Sequence, residues 1–229
     1  MSRVQLEVCV ETVEDAVAAE AGGADRLELC ADLSVGGLTP SPELFRAVRA
    51  AVSLPVVVMV RPRPGNFSYT LVELDEMIRT VVAFRPLAPD GFVFGCVTPD
   101  GRIDRDTAAI LVAVCGGHER VFHRAFDEVA DKAAGLEELI ALGFARVLTS
   151  GGPGSVPDHL RELRDLVARA VGRIQVMPGG GVTADTAGGV VQFTRCEHLH
   201  GSFSEPHGRG RRTSRAAVAV ARAGVDHPG

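Results

Sequence analysis

The chain has 229 residues, 46% of them hydrophobic, and a net charge of −5. That length and composition suit one α/β barrel or two small domains and exclude a disordered chain. The acidic balance argues against nucleic acid as the main partner, and no apolar run approaches the ~20 residues that span a bilayer.

Apolar strand-like runs alternate with helical patterns from end to end. "VQLEVC" (4–9) is the first strand, reached almost at once from "MSRVQLEVCV", which has no apolar h-region or cleavage pattern; no signal peptide is expected. A helix follows over 12–23, stopped by glycines, and "RLELC" (26–30) is the second strand. The helix at 41–52 opens with Ser41 as cap, Pro42 at its first position and Glu43 in its first turn. "PVVVMVRP" (55–62) is the third strand, and 71–86 a helix with Leu71, Leu74, Ile78, Val81 and Val82 on one side. Then come "GFVFGCV" (91–97), a helix over 105–115, "RVFHRAF" (120–126), a helix over 131–143, "ARVLTS" (145–150) and a helix over 155–171. "RIQVMP" (173–178) is the seventh strand, with a short helix near 183–192. "CEHLHGS" (196–202) is the eighth, with a last helix near 212–223.

Eight strand–helix repeats without a linker predict a parallel sheet with helical crossovers, closed as a single-domain (β/α)8 TIM barrel over 1–229. A doubly wound open sheet is the alternative, but "CVETVEDA" stands where its glycine-rich first turn belongs.

Residues i and i+2 of a strand share a face. In "LEVC" (6–9) and "LELC" (27–30) the leucine and its apolar partner therefore face the helices, while Glu7, Cys9, Glu28 and Cys30 face inward. On neighbouring strands the two words set carboxylates and thiols side by side. Arg61 ends strand three, His123 lies in strand five with Arg124 beside it, and Asp127 is one loop step beyond. Thr149 and Ser150 end strand six, Gln175 and Met177 face in from strand seven, and His198 and His200 share a face of strand eight. These polar groups fall at strand C-termini, where a barrel carries its site. Glu7, Glu28, Arg61, His123 and His200 are expected to converge there on one small-molecule ligand.

Plainer readings stand beside these. Glu7 or Glu28 could be a core acid paired with Arg61 or Arg124, and His198 a core histidine. Cys96, Cys115 and Cys196 suit small core hydrophobes. "GRGRRTSR" (208–215) reads as a solvated loop entering the last helix. "TSGG" and "PGGGV" suit either phosphate-binding turns or ordinary tight turns. Five cysteines at long spacings imply a reduced, cytoplasmic protein without disulfides.

The blocks "GGADRLELCADLSVGGLTPS", "VRPRPGNFSY", "VFGCVTPDGRID", "VFHRAFDEV", "GFARVLTSGG" and "VMPGGGVT" resemble the CutC family, the so-called copper homeostasis proteins, over about 5–184. The resemblance implies a TIM barrel, self-association as a dimer or tetramer, and a role linked to copper. It puts Cu(I) on Cys9 and Cys30, and two facing thiolates suit that soft ion. After residue 184 the chain is shorter than the pattern, and Gly201 follows His200 where some members have a thiol or hydroxyl.

Two functions stay open at this point. One is Cu(I) handling by Cys9 and Cys30, with His200 or Met177 nearby. The other is a lyase or isomerase acting on a small oxygenated metabolite. In it His123 is general acid or base, Glu7 or Glu28 its partner, and Arg61 or Arg124 the anion holder, with Asp127 and His200 in the same cluster. A hard divalent metal on Glu and His is a variant of the second, and a non-catalytic barrel binding a small anion is a third, weaker reading.

Overall fold

Eight parallel strands form the barrel wall: β1 (Gln5–Val10), β2 (Arg26–Leu29), β3 (Val56–Met59), β4 (Gly91–Phe94), β5 (Glu119–Phe122), β6 (Arg146–Thr149), β7 (Gln175–Pro178) and β8 (His198–Gly201). This computed structural model describes residues 3–208 and 210–227. Met1, Ser2, Arg209, Pro228 and Gly229, touched by the leader and basic-stretch expectations, lie outside them.

The strands pair in the order β7-β6-β5-β4-β3-β2-β1-β8, and β7 lies beside β8, so the sheet comes round into a nearly closed barrel. Helices α1 (Val13–Gly22), α2 (Pro42–Ala51), α3 (Leu71–Phe84), α4 (Arg105–Cys115), α5 (Lys132–Leu142), α6 (Leu160–Ala170) and α7 (Ala187–Thr194) carry the crossovers, and α8 (Arg215–Asp226) follows the last strand. The helix starts are written locally. Ser41 accepts from Leu44 N at 3.1 Å, and Thr70 with Glu73 makes a reciprocal cap on α3.

The strand parity read from the sequence holds. Leu6, Val8, Leu27 and Leu29 pack outward into the core shared with the helices, and burying each contributes about 2 kcal/mol. A second, smaller cluster fills the barrel itself: Cys30, Val57, Met59, Val93, Val121, Leu148 and Met177.

Several expectations are corrected. The register pairs Cys9 with Glu28 and Glu7 with Arg26, so the two repeated words run two residues out of step. Strand stagger, which closing a barrel requires, is the reason. Strand five stops at Phe122, because the His123 side chain accepts from Ala125 N and starts a 3-10 turn over Arg124–Glu128. On α3 the buried face is Leu74, Met77, Val81 and Phe84, whereas Leu71 and Val82 are 84% and 53% exposed. The stretch before the last helix is an antiparallel hairpin, β9 (Ser204–His207) and β10 (Gly210–Thr213), and not a loop. Thr213 N anchors it by donating to Asp15 Oδ1 at 2.9 Å.

Candidate functional site

The inward side chains stack in tiers. The lowest is an ionic layer drawn from five strands, with Glu7, Arg26 and His198 buried and Glu119 and Arg146 half-buried. Arg26 Nε lies 2.7 Å from Glu7 Oε2 and Arg26 Nη2 lies 2.7 Å from Glu119 Oε1. Arg146 Nε donates to Glu119 Oε1 at 2.8 Å and its guanidinium also meets His198 Nδ1. Two carboxylates balance two guanidiniums here, as burial demands. Burial and the neighbouring Arg146 push His198 down to about 4, so it is neutral.

Glu7 joins this layer to the next. Its second oxygen accepts from His200 Nδ1 at 2.8 Å. Burial alone would raise Glu7, but the His200 hydrogen bond and the Arg26 charge outweigh it and hold the carboxyl at about 2.

The middle tier holds Cys9, Glu28 and His200. One ligand atom from each lies within 4.8 Å of the others. His200 Nε2 is 3.8 Å from Glu28 Oε2, and the Cys30 thiol donates to the same oxygen at 3.5 Å. Burial opposes a charged His200, yet the Glu28 carboxylate and the contacts with Cys9 and Glu7 raise it well above its ordinary range. Burial raises Glu28, with the His200 charge acting against it. Burial and the Glu28 charge push the Cys30 thiol far up, so it is a thiol unless an ion replaces its proton.

The upper tier holds Arg61 and His123 at the ends of strands three and five. Gly95 makes room for the imidazole: a Cβ there would lie 2.5 Å from His123 Nδ1. Above the middle tier opens a cavity of about 740 Å³ at the C-terminal ends of the strands. Cys9, Glu28, Arg61, His123, Arg124 and His200 all line it. The glycine turn at 180–181 and hairpin residues Ser204 and Arg211 complete the rim.

Glu7, Cys30 and Asp127 are not among the lining residues. Glu7 lies beneath, in the ionic layer, and Cys30 sits in the barrel-filling cluster behind Glu28. Asp127 clasps two loops: it accepts from Thr149 Oγ1 at 2.6 Å, Ser150 N at 2.9 Å and Arg124 Nε at 2.8 Å. Arg26, Glu119 and Arg146 were missed in the sequence. Parity was the available signal, since each lies two or four residues upstream of an inward residue on its own strand.

The CutC family profile matches residues 4–205. A human protein named copper homeostasis protein cutC homolog is 43% identical over 215 residues, 94% of this chain and 79% of its own. A Rhizobium meliloti (strain 1021) protein named as family protein CutC is 41% identical over 242 aligned positions, 100% of this chain and 98% of its own. A solved structure from Streptococcus agalactiae, which carries the CutC copper-homeostasis name, superposes with a TM-score of 0.82 at 33% identity, covering 87% of this chain and 98% of that one.

Proposed function

The chain belongs to the CutC family, and from that premise we propose that it handles copper by binding Cu(I) at the inner wall of the cavity. The supporting observation is the grouping of Cys9, Glu28 and His200 within 4.8 Å, with the Cys30 thiol against Glu28. Cu(I) is soft and takes thiolate and imidazole before carboxylate, so Cys9, Cys30 and His200 are the ligands of choice and Glu28 is not. Glu7 fixes the His200 ring by holding Nδ1, which leaves Nε2 for the ion; carboxylate support of this kind is typical of metal-binding histidines. Copper is cargo in this reading and no reaction is attached to it. All five cysteines are free thiols, consistent with the reducing cytoplasm that Cu(I) handling needs. Self-association as a dimer or tetramer belongs to the same proposal and is tested by light scattering.

The test is titration of reduced protein with Cu(I) against a competing chelator, with X-ray absorption to read the ligand atoms. Sulfur ligation that is lost in a Cys9→Ser/Cys30→Ser double variant is expected. Unchanged stoichiometry in that variant would mean adventitious binding elsewhere.

A further inference from the structure

We propose that the opposite wall of the cavity is a carboxylate-binding subsite, in which the Arg61 guanidinium and the His123 Nε2–H receive one carboxylate of a small organic anion.

Arg61 is buried and lines the cavity. Its two Nη atoms donate to backbone carbonyls of Val35 at 2.9 Å, Gly37 at 3.0 Å and Gly65 at 3.0 Å. Carbonyls take three of its five N–H groups and do not neutralise its charge. Among the described residues it forms no ion pair with a carboxylate; its Nε has no partner in good hydrogen-bond geometry, although the neutral Tyr69 hydroxyl lies near the guanidinium. Among the described residues, the other two guanidiniums of the barrel interior each have an acid: buried Arg26 has Glu7 and Glu119, and half-buried Arg146 has Glu119. A buried cation without an anion is costly, and a cavity beside it is where the anion belongs.

His123 supplies direction. Its Nδ1 accepts from Ala125 N at 3.1 Å, so the ring proton is on Nε2. That Nε2 is buried and also lacks a partner among the described residues. Burial and the Arg61 charge push His123 down to about 3, so the ring stays a neutral donor. Phe67 connects the two groups. Its ring lies 4.8 Å from the Arg61 guanidinium carbon and 4.8 Å from the centre of the His123 ring.

These features choose the ligand class. Two nitrogens without a hydrogen-bond acceptor, Arg61 Nε and His123 Nε2, and one positive charge match one carboxylate. They fall short of the donor number a phosphate dianion takes up. Met59, Leu148 and Phe67 line the same cavity and favour a small apolar body attached to that carboxylate. The Phe67 backbone is tied down, its carbonyl accepting from Val97 N at 3.0 Å, so the ring and not the loop has to swing for entry. The subsite is independent of the copper reading, because it uses none of Cys9, Cys30 or His200.

The experiment uses reduced, copper-free, full-length protein labelled with 15N-histidine. Acetate and pyruvate are the probes; chloride and inorganic phosphate are the comparisons. A saturable shift of the His123 Nε2 resonance is expected with both carboxylates, and calorimetry gives the affinity. His123→Phe removes the donor and should weaken binding at least about tenfold, a loss of about 1.4 kcal/mol. His123→Gln, which keeps an N–H, should retain more of it and serves if the Phe variant does not fold. No saturable change with either carboxylate overturns the proposal and leaves Arg61 as a clip between two loops. Equal binding in His123→Phe overturns it too, and tighter binding of phosphate overturns the ligand class.

Discussion

His200 donates Nδ1–H to Glu7 Oε1 at 2.8 Å, while Glu7 Oε2 lies 2.7 Å from Arg26 Nε. One carboxylate thus fixes the candidate copper ligand and completes the ionic floor of the barrel. The two roles separate experimentally. Glu7→Gln leaves Arg26 with Glu119 alone, and breaking a buried pair costs about 3 kcal/mol or more. It also loosens the His200 ring, and losing such support lowers metal affinity about 10–100-fold. Urea unfolding measures the first effect and chelator competition the second. A stability loss with unchanged Cu(I) affinity would show that His200 is not a ligand.

Arg124 and Asp127 should behave very differently despite their ion pair. Asp127 is buried and satisfies Thr149 Oγ1, Ser150 N and Ser150 Oγ besides Arg124. Asp127→Asn replaces an acceptor by a donor toward at least one of these and should cost about 2–3 kcal/mol. The Arg124 side chain is 42% exposed, so Arg124→Ala should cost under about 1 kcal/mol. Denaturant midpoints of the two variants check this. A large loss on Arg124→Ala would mean that its bonds to Ser150 Oγ and Gly154 O, not the carboxylate, hold the loops.

Much of this molecule is legible without coordinates, because a strand's parity is a local property. "LEVC" and "LELC" correctly assign Leu6, Val8, Leu27 and Leu29 to the helix side and their polar neighbours to the interior. Convergence of Glu28, Arg61, His123 and His200 on one cavity follows from the same parity. What escaped is non-local. Which residue of β2 stands beside Cys9 depends on barrel stagger, and stagger is a property of the closed sheet, so Glu28 and not Cys30 is its neighbour. The ionic floor escaped for a related reason. Arg26, Glu119 and Arg146 sit at strand beginnings, where a charged residue also suits an exposed loop end. The hairpin at 204–213 replaces the expected solvated loop because Ser204 and Thr213 pair across it, a pairing that no apolar alternation announces.

The three buried histidines predict a stability maximum near pH 6.5. His123 and His198 are pushed down to about 3 and about 4 from an ordinary value near 6.5, by burial first and then by Arg61 and Arg146. Below pH 6.5 the unfolded chain protonates both rings while the folded chain does not. Unfolding then takes up protons, and stability falls with acid by up to about 1.4 kcal/mol per pH unit for each. Glu28, raised by burial, holds its proton in the folded state above pH 4.5 and offsets part of that slope. Glu7, held at about 2, adds a further loss only as pH drops from 4.5 toward 2. His200 runs the other way: its contribution is complete below pH 6.5 and is lost as pH rises through its elevated folded value. Unfolding free energies from urea titrations across the pH range should therefore peak near 6.5. His123→Phe removes one of the two proton-accepting rings and should flatten the acid limb by about 1.4 kcal/mol per pH unit. An acid limb of unchanged slope in that variant would mean that His123 is protonated in the folded protein, and the neutral donor assigned to the carboxylate subsite would be lost with it.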